Sequence, residues 1–115
     1  MKTIIAGSRN ITDQIIVDRA VFLSGFQRDI TEVVCGMATG VDLLGQQWAI
    51  NHNIPVKEMP ANWYKYGRAA GHKRNWEMAE YADALIAVWD GESPGTRSMI
   101  KYAKELRLQV YVHYV

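Results

Sequence analysis

Four short segments of this sequence carry residue types suited to binding an anion. Gly7-Ser8-Arg9 closes an apolar run. Glycine there permits a tight turn and close backbone approach, serine offers a hydroxyl, and arginine offers a planar fork for phosphate or carboxylate. The same residues also suit a plain strand-end turn with a solvated Arg9. Gly36-Met37-Ala38-Thr39-Gly40-Val41-Asp42 follows a second apolar run. Its two glycines, four positions apart with Ala38 between them, let backbone N–H groups face an anion at a helix N-terminus, where the dipole also helps. A helix-capping loop is the alternative. Asp42 has two readings as well, a hydrogen bond to a ribose or stabilisation of that helix end. The segment is not a GxGxxG fingerprint, and the absence of any Gly-Lys-Ser/Thr excludes a Walker loop. Gly95-Thr96, after Ser93-Pro94, offers backbone donors and a hydroxyl to a phosphate oxygen; an N-cap at Thr96 is the common alternative, and the two roles can coexist.

The fourth segment is defined by what it lacks. From Met59 to Trp76 there is no acidic residue, while Lys65, Arg68, Lys73 and Arg74 all occur there beside His72. Trp63, Tyr64 and Tyr66 are interleaved with them. Aromatic rings stack on bases while cations neutralise phosphate, so Trp63, Tyr66, Arg68 and Lys73 form a candidate lid or base-stacking group, or a strip that tracks a single strand. The alternative is an exposed loop whose aromatics pack on the edge of the core.

Other chemistries find less support. Cys35 is the sole cysteine, which excludes a disulfide framework and a multi-cysteine zinc site; at the end of an apolar strand it reads as a buried small hydrophobe. His52, His72 and His113 lack metal-ligand spacing, and no metal site is predicted. Ser8, His72 and Asp90 contain the residue types of a hydrolytic triad, but nothing local joins them. Trp48, Trp76 and Trp89 read as core or near-core residues.

The elements that must position these segments are legible as short apolar runs: Thr3-Ile4-Ile5, Val33-Val34, Ile54-Pro55-Val56, Ala84 to Val88, and Val110-Tyr111-Val112. Continuous runs rich in β-branched residues predict strands buried on both faces. Between them, helical spacing predicts helices over 12–26 (Ile16, Ala20 and Leu23 on one side, Thr12 as N-cap), 40–52 (Val41, Leu44, Trp48, Ala49), 72–82 (Met78, Ala79, Ala82) and 96–107 (Met99, Ile100, Ala103, Leu106). Residues 60–71 read as the longest irregular stretch. The order β-α-β-α-β-α-β-α-β predicts a single α/β domain, a Rossmann-like, doubly wound and mainly parallel sheet of about five strands with helices on both faces. In such a sheet ligands bind outside the carboxyl ends of the strands where the order reverses, between strands 1 and 4. The loops there are Gly7-Ser8-Arg9 and Asp90 to Thr96.

Composition sets the outer bounds. The chain has 115 residues, with 13 Lys and Arg against 12 Asp and Glu, a formal charge of +1. That excludes a globally basic coat protein, not a local basic pocket. Hydrophobic residues at 49% and charged ones at 22% are those of a globular domain. The apolar start before Gly7 is too short for a signal peptide, and no run approaches the ~18–20 residues of a membrane span. The expectation is a soluble, cytoplasmic domain.

Taken in order, the segments AGSRNITD at 6–13, VVCGMATGVD at 33–42, PANWYKYGRAAGHKRNWEMAEYADALIAVWDG at 60–91 and SPGT at 93–96 resemble those of the SLOG superfamily, in the YspA-like branch related to YpsA. The resemblance spans essentially the whole chain. It implies a Rossmann-like fold and a pocket for a nucleotide or nucleotide-derived ligand. Carried over by position, it nominates Gly7, Ser8, Arg9, Gly36, Ala38, Gly40, Asp42, Arg74, Asn75, Gly95 and Thr96, with Arg74 facing the phosphate and Thr96 holding its far side. Relatives commonly self-associate, so the resemblance also implies a homo-oligomer.

Among the superfamily, the Lonely Guy phosphoribohydrolases release a base from a nucleoside monophosphate and carry Pro-Gly-Gly-x-Gly-Thr-x-x-Glu. Here Asp90-Gly91-Glu92-Ser93-Pro94 replaces the first glycines and Met99 stands at the Glu position. A thioether neither activates water nor stabilises an oxocarbenium ion. The leading expectation is therefore a binding module for a nucleotide-type small molecule, a sensor or sequestering domain that needs no further cofactor. An N-glycosidic or phosphoribosyl hydrolase using Asp90, Glu92 or Asp42 is the alternative. Single-stranded nucleic-acid binding through residues 63–74, as in the superfamily's DNA-processing members, ranks third because the whole chain is nearly neutral.

Overall fold

The computed structural model describes residues 1–115. Five strands, β1 (Lys2–Gly7), β2 (Glu32–Cys35), β3 (Val56–Glu58), β4 (Ala84–Trp89) and β5 (Gln109–Tyr114), form one sheet in the order β3-β2-β1-β4-β5. Every neighbouring pair is parallel. The helices are α1 (Gln14–Ser24), α2 (Val41–Asn51), the single turn α3 (Trp63–Tyr66), α4 (Ala70–Tyr81) and α5 (Pro94–Glu105). This is the predicted Rossmann-like α/β architecture, and it sets β1 beside β4 at the point where strand order reverses.

The two-residue period of the strands divides the core into two layers. Ile5, Val33, Ile86 and Val88 face one way and pack with Val17, Ala20 and Val21 of α1 and Val41, Trp48 and Ala49 of α2. Ile4, Ala6, Val34, Leu85 and Ala87 face the other way and pack with Met78 and Ala79 of α4 and Met99, Ile100 and Ala103 of α5. Trp48 is fully enclosed and stacks on His52 at a centroid distance of 4.3 Å. No helix is long and apolar enough to cross a membrane.

Several local expectations are corrected. Only the three inner strands are buried on both faces; β3 and β5 lie at the sheet edges, each with one neighbour, and are largely exposed or half-buried. Within the stretch 60–71, residues 63–71 are helical, because the Asn62 side chain caps α3 by accepting from the Lys65 amide at 3.0 Å, and a 3₁₀ turn (Gly67–Ala69) leads directly into α4. The N-cap of α1 is Asp13, whose carboxylate accepts from the Ile15 amide at 3.0 Å, so the helix starts after Thr12. Its buried stripe is Val17, Ala20 and Val21, leaving Leu23 exposed. Two helices begin two residues earlier than their apolar spacing suggests, α4 at Ala70 and α5 at Pro94. Proline is suited to a first helical position because the amide it lacks would be unpaired there anyway. Trp48 is a core tryptophan and Trp89 packs against the core, as expected, whereas Trp76 is half-exposed against Tyr102.

Candidate functional site

The ends of β1 and β4 open into a cavity of about 460 Å³. Its floor is apolar, made by Ala6 from β1, Met78 from α4 and Met99 from α5. Its walls are polar: Arg9 and Asn10 after β1, Ala38 and Asp42 at the start of α2, Arg74 and Asn75 on α4, and Asp90 with Ser93 to Thr96 at the start of α5. Residues 74, 75 and 78 reach it together because they share one face of α4.

Asp42 and Arg74 form the electrostatic centre. Asp42 is only 5% exposed, and its Oδ2 accepts from the Ala38 amide at 3.3 Å. Burial raises its pKa from 3.8 to about 6, against the opposing pull of Arg74. Arg74 donates from Nη1 to the Gly36 carbonyl and from Nε to Asn75 Oδ1 at 3.0 Å. Burial lowers its pKa while Asp42 pulls it back up. A guanidinium has five N–H donors, so these bonds leave some free for a ligand. The sole ion pair of the chain, Lys73–Glu77, lies elsewhere, so neither Arg9 nor Arg74 is in direct contact with a carboxylate. A Cβ at Gly36 would stand 2.7 Å from both Arg74 Nη1 and Asp42 Oδ2, so glycine here is what lets the two side chains converge.

The far wall is held by hydroxyls. Ser8, 1% exposed, accepts from the Asp90 amide through Oγ at 3.1 Å. Ser93 Oγ lies 3.1 Å from Ser8 Oγ and 3.1 Å from Asp90 Oδ2. Asp90 Oδ1 accepts from the amides of Glu92 (2.9 Å) and Ser93 (2.8 Å). Those two amide bonds, Ser93 first, hold the Asp90 pKa below the ordinary carboxylate range. Ser93 occupies the N-cap position of α5, yet its side chain makes no capping bond. The hydroxyl that would cap the helix is turned to Ser8 and Asp90, and the first amides of α5 keep their positive end toward the cavity. Asn75 Nδ2 donates to the Gly95 carbonyl at 3.2 Å and ties this turn to α4.

The cavity gathers Gly7, Arg9, Ala38, Asp42, Arg74, Asn75, Gly95 and Thr96 from the predicted set, together with Asp90. Three others stand behind it. Ser8 holds the wall, Gly36 leaves the space in which Arg74 and Asp42 converge, and Gly40 packs on the backbone of Ser8 and Arg9. Thr96 is a buried residue of the first turn of α5, not its cap. Glu92 is exposed and outside the lining. Trp63, Tyr66, Arg68 and Lys73 also lie outside it, on α3, the 3₁₀ turn and the outer side of α4. Sequence reasoning passed over Asn10, Met78 and Ser93 as site residues. Met78 could have been found from helical spacing, four positions after Arg74. The role of Ser93 depends on a hydroxyl 85 positions away and leaves no local signal. No group of three or more His, Cys, Asp or Glu is placed to hold a metal ion.

Residues 1–66 match the model of the YspA, cpYpsA-related SLOG family, YAcAr. The chain belongs to that family. The matched part of this SLOG chain contains the Gly7–Arg9 and Gly36–Asp42 loops, whereas Arg74, Asn75, Gly95 and Thr96 lie beyond it. The chain is similar to the SPbeta prophage-derived protein YoqJ of Bacillus subtilis (strain 168), 39% identical over 44 residues, which is 38% of this chain and 26% of YoqJ. Its fold is similar to that of DNA processing protein A (DprA) from Streptococcus pneumoniae, with a TM-score of 0.72 and 15% identity over 96% of this chain and 49% of that one. The chain thus spans about half the length of that structure and about a quarter of YoqJ.

Proposed function

We propose that this SLOG domain binds a small phosphorylated ligand of nucleotide type in the cavity between β1 and β4, as a sensor or sequestering module. The observation that carries the reading is the uncapped start of α5 facing two arginines that no carboxylate touches. A helix N-terminus with free amides and a nearby guanidinium is a phosphate-binding arrangement. Asp42 and Asn10 supply polar partners for a sugar, and the thioethers of Met78 and Met99 form an apolar floor. Membership of the SLOG family supports a nucleotide-related role.

The test is thermal unfolding and calorimetric titration of the purified chain with a panel of nucleoside mono-, di- and cyclic phosphates and ADP-ribose-type ligands. A true ligand at 100 times its dissociation constant stabilises the fold by ~2.7 kcal/mol. Arg74→Ala should weaken that ligand by about tenfold or more, the value of a charge-assisted hydrogen bond. Absence of any binding at millimolar ligand would overturn the reading.

One observation favours a second reading, hydrolysis of an N-glycosidic bond. Asp42 lines the cavity and its pKa of about 6 suits a general acid that protonates a departing base. Base release from a nucleoside monophosphate that disappears in Asp42→Asn would support it, and an unchanged substrate after long incubation would exclude it.

A further inference from the structure

Every polar group the cavity offers suits a phosphate or a sugar, and none of its lining residues is aromatic. A base needs a flat surface to be distinguished from a bare sugar phosphate. We propose that Trp63 supplies it: the indole on α3 stacks against the base of a ligand whose phosphate lies between Arg74 and the start of α5. This rests on the nucleotide reading above and goes beyond it by naming the residue that selects a nucleotide over a sugar phosphate.

Three features single out Trp63. First, its six-membered ring lies over Gly71, with Cη2 3.4 Å from where a Gly71 Cβ would stand. Gly71 sits three and four positions before Arg74 and Asn75, and residues so spaced share a helix face. The indole is therefore seated about one helical turn along α4 from the Arg74 position. Second, the neighbouring aromatics are otherwise disposed. Tyr66 is flanked by the ammonium groups of Lys65 and Lys73, at 5.1 and 4.9 Å from its ring centroid. Tyr64 projects entirely into solvent. Third, α3 is lightly held. It has no buried residue, it is a single turn, and the Asn62 cap is the one side-chain hydrogen bond that secures it. Such a turn shifts at little cost. It nevertheless leaves a tryptophan 53% exposed, apolar surface that a stacked base would cover.

The experiment compares two probes, ribose 5-phosphate and whichever nucleotide of that panel binds best, titrated into wild type, Trp63→Ala and Trp63→Phe. Wild type should bind the nucleotide more tightly than ribose 5-phosphate. Trp63→Ala should weaken the nucleotide by about 5- to 150-fold, the range associated with one base stacked on an aromatic ring. It should leave ribose 5-phosphate within twofold and the melting temperature unchanged. Trp63→Phe, which keeps a flat ring, should recover most of the loss. Equal weakening of both probes, or no weakening of either, would overturn the role of Trp63 while leaving the phosphate site intact. Failure of both probes to bind wild type would overturn the nucleotide reading itself, and the role of Trp63 with it.

Discussion

Two full-length helices begin at the cavity, neither with a side-chain cap, and they differ in what surrounds their first turns. At α2 the first amide is paired within the chain, Val41 donating to the Ser8 carbonyl at 3.3 Å, and in the loop just before the helix the Ala38 amide is taken by Asp42 at 3.3 Å. Asp42 also places a carboxyl in the first turn, which disfavours a second anion at that helix end. At α5 the cap position is occupied by a serine whose hydroxyl is engaged elsewhere, and the first turn carries no acidic residue. Both sequences present a glycine near a helix start. At Gly40 the space beside the α-carbon is filled by the Ser8 carbonyl at 2.5 Å and Arg9 Cα at 2.6 Å; at Gly95 nothing lies within 4 Å. The first glycine serves the packing of the protein, and the second leaves room for something else.

The largest effect that would test this contrast is on stability at Gly40. Its φ of 80° and ψ of −132° belong to a region that only glycine adopts readily, and a Cβ there would strike backbone. Gly40→Ala should cost about 2–5 kcal/mol, combining conformational strain with overpacking that cannot relax through a side chain. Chemical denaturation reads this directly. A loss below 1 kcal/mol would mean that the α2 turn is looser than its contacts imply and could itself open to a ligand.

Asp42→Asn should act in the other direction, by a smaller amount. The carboxyl has a pKa near 3.8 in the unfolded chain and about 6 when folded. Below pH 3.8 both states carry the proton and no penalty arises. Between 3.8 and 6 the unfolded chain binds fewer protons than the folded one, so stability falls as pH rises. Above 6 the full penalty of an ionised buried group remains. The asparagine lacks that penalty, so at pH 7 it should be more stable than wild type by about 1–3 kcal/mol, with the difference vanishing below pH 4. Unfolding curves collected from pH 3.5 to 7.5 would show whether the two converge at the acid end. Parallel curves would show that Asp42 titrates as an ordinary exposed carboxyl.

These contrasts mark what the sequence made legible. The continuous runs Ile4-Ile5 and Ala84 to Val88 announced inner parallel strands because a strand covered on both faces has no polar side to display. From them followed the pairing of β1 with β4 and the location of the cavity. The exposure of the edge strands is not legible, because one missing neighbour changes burial without changing composition. Arg74 and Asn75 were legible from their place in a family pattern, and Met78 was recoverable by helical spacing. The finish of each helix was not legible. Whether a glycine admits a ligand or a neighbouring chain depends on atoms far away in sequence, such as the Ser8 carbonyl beside Gly40 or the Ser8 hydroxyl that draws Ser93 from its capping role.

The smallest effect on stability belongs to Gly95, and it carries the sharpest test of what the α5 terminus is for. Gly95 occupies the first turn of α5, lines the cavity and has open space where its side chain would be. Alanine is a better helix former, so Gly95→Ala should leave the fold unchanged or stabilise it by up to about 1 kcal/mol. The same methyl would stand beside the uncapped first amides of α5, and on the proposed phosphate site it should weaken a phosphorylated ligand by about tenfold, roughly 1.4 kcal/mol. A fold that gains or holds stability while its ligand is lost separates a binding glycine from a packing one in a way Gly40 cannot. Calorimetric titration beside a melting curve, on the same preparation, gives both numbers. Unweakened binding in Gly95→Ala would place the phosphate away from α5 and leave Arg9 and Arg74 as its anchors.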